Sequence, residues 1–167
     1  AGVLPLEKAR FNLTESIRQI LHRYDKRADY RFPFHGEEDV WVEADELKIS
    51  QVVYNLVNNA ITYSGEDKTI TLTQQVEQGK VRISVTDTGE GIPQEKLKDI
   101  WERYYKVDKE HKRAQMGSGL GLSIVRNILE MHGGQYGVTS QLGKGSTFWF
   151  ELPLAPSQGE LGEGSAR

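Results

Sequence analysis

Gly117, Gly119 and Gly121 alternate with Ser118 and Leu120, and the run leads straight into Leu122-Ser123-Ile124-Val125-Arg126-Asn127-Ile128-Leu129. Glycine reaches φ > 0 without a steric penalty, so such a loop can turn its N–H groups inward. A helix starting there adds unpaired N–H groups and the positive end of its dipole, which together make an anion site. Ser118 is placed to cap that helix or to touch a phosphate oxygen. The same glycine cluster is also ordinary loop chemistry ahead of a helix, and alone it does not decide between the two. A second group, Asn55, Asn58, Asn59 and Thr62, makes a polar strip at helical spacing. Asparagine is a poor helix former, so three of them in mid-helix is a costly way to reach solubility. An amide oxygen is a hard, neutral ligand suited to Mg²⁺ that already carries phosphate oxygens and waters. The plain alternative is the solvated side of an amphipathic helix. A third group is Asp87-Thr88-Gly89-Glu90-Gly91. A carboxylate ending a strand can accept a hydrogen bond from an exocyclic amine while the glycines admit a flat ring. An aspartate satisfying its own turn is the equally simple reading.

The elements that must position these groups follow from hydrophobic periodicity. Leu13, Ile17, Ile20, Leu21 and Tyr24 predict a helix over 13–27, capped by Asn12 or Thr14. Residues 30–34 alternate as a short strand, with Pro33 placing it at a sheet edge, and 40–42 form a second one. Asp45 caps a helix reaching Tyr63, which Ser64-Gly65 ends; Leu47, Val52, Val53, Leu56, Val57, Ala60 and Ile61 form its apolar face. Strands over 69–77 and 80–87 meet at Gln78-Gly79, and a short helix follows over 94–101. The glycine-led helix closes at Gly133-Gly134, and strands 135–141 and 146–152 flank the turn at Gly143-Lys144-Gly145. Hairpins mixed with helices indicate an α+β fold with one sheet and helices on one face.

Composition narrows the class. A chain of 167 residues with 37% hydrophobic and 27% charged residues suits one soluble domain with a real core. A net charge of −3 argues against nucleic acid as a partner. With no cysteine there are no disulfides and no thiolate metal sites. No apolar run is long enough for a membrane span and no signal peptide opens the chain. Residues 1–8 read as a linker or the end of an upstream element, 9–154 as the domain and 155–167 as a flexible tail.

Taken in order, these groups resemble the catalytic, ATP-binding domain of bacterial sensor histidine kinases, within the group shared with gyrase, Hsp90 and MutL. Asp45-Glu46-Leu47 through Gln51-Val52-Val53-Tyr54-Asn55-Leu56-Val57-Asn58-Asn59-Ala60 matches the N box, and Asp87-Thr88-Gly89-Glu90-Gly91-Ile92 the first glycine box. Ile100-Trp101-Glu102-Arg103-Tyr104-Tyr105-Lys106-Val107-Asp108 matches the F box, with Trp and Tyr where Phe is usual. Met116 to Leu122 matches the second glycine box. The resemblance spans residues 8–153 and implies the Bergerat ATP-binding fold, a two-layer α/β sandwich whose mixed five-stranded sheet is covered on one face by three helices.

By that resemblance Asn59 holds Mg²⁺, with Asn55 beside it near the phosphates. Asp87 recognises the adenine amino group, Gly89, Gly91 and Ile92 shape the base pocket, and Tyr63 packs on the base. Gly117, Ser118, Gly119, Leu120, Gly121 and Leu122 form the phosphate cradle, which Lys106 and Arg103 reach from a lid. Members that hydrolyse ATP carry a glutamate where this chain has Asn55, which cannot accept a proton at neutral pH. The resemblance therefore favours transfer to a histidine on a helical hairpin and relay to a response-regulator aspartate. None of His22, His35, His111 and His132 is followed by an acidic residue as that histidine typically is, and His132 reads as a helix-end cation. The chain is expected to be a monomeric, cytoplasmic piece of a longer, homodimeric kinase. Thr62 stands where relatives usually carry Lys or Arg, and Met116 where many carry glycine. A nucleotide-binding regulatory module and a self-sufficient ATPase are the competing readings.

Overall fold

A computed structural model describes residues 5–102 and 121–156. Its centre is a five-stranded sheet in the order β2-β4-β5-β7-β6, formed by β2 (Phe34–His35), β4 (Thr71–Glu77), β5 (Lys80–Asp87), β6 (Gln135–Gln141) and β7 (Gly145–Pro153). Only the β2–β4 pair is parallel, which makes the sheet mixed. β5 sits in the middle and alternates strictly: Val81, Ile83, Val85 and Asp87 are buried, while Arg82, Ser84 and Thr86 lie half-exposed. Because strand side chains alternate with period two, the hydrophobic pattern that fixes β5 in register also turns Asp87 toward the core face.

That core face carries the helices α1 (Leu13–His22), α2 (Glu46–Tyr63) and α3 (Gly121–Met131). Ile49, Val52, Val53, Leu56, Val57 and Ala60 of α2 are all buried, together with Val125, Ile128 and Leu129 of α3, Leu13 and Ile17 of α1, and Phe148 and Phe150 of β7. Each such side chain contributes about 1.5–3 kcal/mol of burial, so this layer dominates the stability of the domain. The α+β sandwich expected from the sequence is the architecture observed.

Several local expectations are corrected. A second, two-stranded sheet joins β1 (Ala9–Asn12) to β3 (Trp41–Ala44), and β1 lies where no strand was expected. The first helix ends at His22 rather than residue 27; beyond it Arg23, Tyr24, Asp25 and Arg27 continue as turns with bonds to the third preceding carbonyl. Asn12, not Thr14, caps it, accepting from the Glu15 N–H at 3.0 Å. Thr14 is instead fully buried and bonds Gln74 at 2.7 Å and the Val40 N–H at 2.9 Å. The 30–34 segment pairs only through an isolated Arg31–Thr69 bridge before β2, although Pro33 does mark the sheet edge. Residues 94–101 form two short 3₁₀ turns, Gln94–Lys96 and Asp99–Trp101, in place of one helix. Leu47 is 82% exposed and lies off the apolar stripe of α2; Ile49 takes the buried position.

Candidate functional site

α2 is the spine of the site, and Asp45 starts it. Its Oδ1 accepts from the Lys48 N–H at 3.2 Å and its Oδ2 from the Glu7 N–H at 3.0 Å. Burial alone would raise the Asp45 carboxyl, but the N–H groups of Glu7 and Lys48 and the Lys48 charge hold it below the usual range. The Asp45 N–H donates to His132 Nε2 at 3.0 Å, which leaves the ring proton on Nδ1, 2.8 Å from the Ile128 carbonyl it donates to. His132 therefore links the start of α2 to the end of α3. At the other end of α3, Asn55 Nδ2 donates to the Gly121 carbonyl at a long 3.4 Å.

The polar strip of α2 divides in two. Asn58 accepts from the Tyr24 hydroxyl at 2.7 Å, and Thr62 Oγ1 turns back onto the Asn58 carbonyl at 2.9 Å. Burial pushes the Tyr24 phenol up to about 12, so it stays a donor across the physiological range. Asn58 thus belongs to the contact with the segment after α1, while Thr62 bonds back onto its own helix. Asn55 bonds the start of α3 instead, Asn59 lies one turn further along α2, and both are half-buried. The Asn59 Nδ2 is buried without a hydrogen-bond partner among the described residues. An orphaned buried amide is costly unless something outside the chain completes it.

Asp87 ends β5 with 1% of its surface exposed, and its Oδ1 accepts from the Gly89 N–H at 2.9 Å. The loop after it is pinned from two sides. On one side, a Cβ on Gly89 would collide with the carbonyl of Tyr63, the last residue of α2, and one on Gly65 with the carbonyl of Thr88. On the other, Gly91 has φ +81° and would press a Cβ into the Gln141 carbonyl. The Gly143 N–H bonds the Glu90 carbonyl at 2.8 Å, and the Ile92 N–H bonds Ser140 Oγ at 2.8 Å. Ile92 is buried, Tyr63 half-buried, and Leu122 packs against the core edge. A cleft of about 950 Å³ opens beside this wall, lined among others by Thr62, Tyr63, Gly89 and Glu90.

Gly121 differs from the loop glycines. No described atom lies within 4 Å of where its Cβ would be, so space rather than packing is what this glycine leaves. Trp101 anchors the F-box stretch, its ring edge-on to Tyr136 at 4.8 Å and to Phe148 at 5.7 Å. Arg103, Lys106, Gly117, Ser118, Gly119 and Leu120 lie outside the described residues. Sequence reasoning missed Asp67, Ser140 and Ser146, which buttress the Asp87 loop and its neighbouring hairpin. Each is joined to its partners by the fold rather than by any local pattern.

The donor set also bears on a metal. Among the described residues no cluster of three His, Asp or Glu side chains could hold one. The neutral amide oxygens of Asn55 and Asn59 suit Mg²⁺ delivered together with phosphate oxygens, and the Asn59 Nδ2, a donor without a partner among the described residues, suits one of those phosphate oxygens.

Comparison with known proteins agrees with this geometry. Residues 44–156 match the family described as histidine kinase-, DNA gyrase B- and HSP90-like ATPase. The sensor histidine kinase WalK of Bacillus subtilis is 40% identical over 124 residues, covering 73% of this chain and 20% of WalK. The catalytic domain of the histidine kinase ThkA, solved free of nucleotide, superposes with a TM-score of 0.77 at 35% identity, covering 89% of this chain and 96% of that one. Full-length ShkA, solved in complex with AMPPNP, superposes at 0.77 with 29% identity over 94% of this chain and 33% of its own. The chain spans between a fifth and about a third of the length of the curated relatives WalK and ArlS. With its residues 44–156 matched and its sheet and helices shared with these kinases, the chain belongs to the histidine kinase-, DNA gyrase B- and HSP90-like ATPase family.

Proposed function

We propose that this chain is the ATP-binding catalytic domain of a sensor histidine kinase, passing the γ-phosphate to a histidine on a separate helical hairpin. The observation that carries the reading is the pair Asn55 and Asn59: a buried amide nitrogen without a partner among the described residues, one turn beyond a residue that cannot act as a base. Asp87 accepts from the adenine amino group, with Gly89, Gly91 and Ile92 shaping the pocket around the base and Tyr63 packing on it. Asn59, with Asn55 beside it, holds Mg²⁺, which neutralises phosphate charge when bound. The amides of Gly117, Ser118, Gly119 and Gly121, flanked by Leu120 and Leu122, cradle the phosphates, and Lys106 and Arg103 add positive charge. Because Asn55 takes no proton, water in this site is not activated and the γ-phosphate waits for a better nucleophile. A neutral imidazole nitrogen of the acceptor histidine forms the new N–P bond as the bond to the ADP oxygen breaks, and the acid beside that histidine takes its proton. A response-regulator aspartate is the next acceptor; the histidine kinase ThkA has been solved in complex with its response regulator protein TrrA.

Calorimetric titration of ATP into the chain, with and without Mg²⁺, tests the pocket; a relative's histidine hairpin supplied with labelled ATP tests the transfer. Mg²⁺-dependent binding that Asp87→Asn weakens about a hundredfold, together with label on the hairpin, is the expected result. Binding without transfer would favour a nucleotide-sensing module. Steady phosphate release by the chain alone would favour an ATPase.

A further inference from the structure

The turn between α2 and β4 folds over the Asp87 loop. Gly65 is packed against the Thr88 carbonyl, and Asp67 Oδ1 accepts from the Thr88 hydroxyl at 2.6 Å while also accepting from the Thr69 N–H at 3.3 Å. Thr88 lies between Asp87 and Gly89, and the Gly89 N–H donates to Asp87 Oδ1 and helps to orient that carboxylate. We propose that Asp67 is a positioning residue that, through Thr88, fixes the aim of Asp87 and so sets the preference of the pocket for a 6-aminopurine over a 6-oxopurine nucleotide. The proposal rests on the reading of Asp87 as the adenine-recognising residue.

The chemistry is directional. A carboxylate oxygen accepts from an amino group but repels the carbonyl oxygen of a 6-oxopurine, so discrimination depends on where that oxygen points. Rotation of either peptide flanking Thr88 would move the Gly89 N–H and release the carboxylate. Asp67 resists this rotation with a charge-assisted bond. The Thr88 hydroxyl is the main cause holding the Asp67 carboxyl below its usual range, which keeps it ionised and accepting at neutral pH. Neither Asp67 nor Thr88 has to touch the base for the effect to appear.

The test is a set of calorimetric dissociation constants for ATP and inosine triphosphate at fixed Mg²⁺, using the intact chain and its variants Asp67→Ala, Thr88→Val, Thr88→Ser and Asp87→Asn. Asp67→Ala and Thr88→Val should each weaken ATP binding about three- to tenfold and leave inosine triphosphate binding unchanged, while Thr88→Ser, which keeps the hydroxyl, should behave as the parent. A parallel loss for both nucleotides would show a turn that merely supports the fold, and unchanged ATP affinity would show no role at all; either overturns the proposal. Asp87→Asn separates the two levels. If it abolishes discrimination and the Asp67 and Thr88 variants do not, the positioning role fails alone. If it leaves discrimination intact, the assignment of Asp87 fails first and takes the proposal with it.

Discussion

The two ends of the candidate site are built on opposite principles. At the Asp87 end the backbone is held from several sides. Gly89 and Gly91 press on backbone carbonyls from α2 and from the end of β6, Ser140 holds the Ile92 N–H, and Asp67 holds Thr88. At the Asn59 end the polar atoms are under-satisfied. The Asn59 amide is buried without a partner among the described residues, Asn55 makes a single long bond, and Gly121 faces open space. A rigid wall suits recognition of a flat, rigid group, since no ordering cost falls on binding. Groups left incomplete suit a ligand that brings its own charges and counter-ion.

Glycine substitutions break this comparison most sharply. Gly89→Ala forces a Cβ into the Tyr63 carbonyl and should cost about 2–3 kcal/mol of stability, read from the shift of a urea midpoint. Gly121→Ala sits at a helix start in open space and should leave stability within about 0.5 kcal/mol, or raise it, while weakening nucleotide binding. Equal effects on stability at the two positions would mean that the ends are not built differently.

Asn59→Ala probes the other end alone. Removing a buried amide that has no partner should leave the unfolding midpoint nearly unchanged, since no described bond is lost. Binding of ATP with Mg²⁺ should nonetheless weaken about tenfold, and the Mg²⁺ dependence should disappear. A marked loss of stability with unchanged binding would place Asn59 in the fold rather than in the site.

The parts of this arrangement that were legible in the sequence are those governed by local rules. Asp45 and Ser64-Gly65 bracket α2, and the alternation of Val81, Ile83 and Val85 sets β5 and the inward side of Asp87. β1 escaped notice because only Phe11 of its four residues is buried and its partner lies some thirty residues away in β3. The first helix read too long because Tyr24 keeps the helical phase while packing, from a turn, against Phe32 and Tyr54. The tie of His132 to the start of α2 was hidden because the Asp45 N–H that meets its ring is remote in sequence. The reasons for Gly89 and Gly91 were hidden for the same cause: each glycine answers a carbonyl that is remote in sequence. Local chemistry thus marked the residues of the site, and only the tertiary structure revealed what holds them still.

The smallest effect sharpens the comparison by testing whether the far end of α2 belongs to either regime. Asp45 caps the helix that carries Asn55 and Asn59, tethers Glu7, and meets His132 from α3. Its carboxyl is held below the ordinary value of about 3.9 in the folded chain. The stabilisation is therefore fully present above that ordinary value and is lost as the pH falls through the lower folded value. Urea midpoints should be flat with respect to this group from neutral pH to about pH 5 and should decline below about pH 4. Asp45→Ala should lower the neutral-pH stability by about 1 kcal/mol and remove this contribution to the acid slope, so that variant and parent converge as the pH drops. Nucleotide affinity should change less than twofold, because α2 is fixed near Asn59 by Leu56, Val57 and Ala60 in the core rather than by its cap. A loss of affinity as large as that of Asn59→Ala would show that strain at the cap travels along the helix, and the two ends of α2 would then act as one unit.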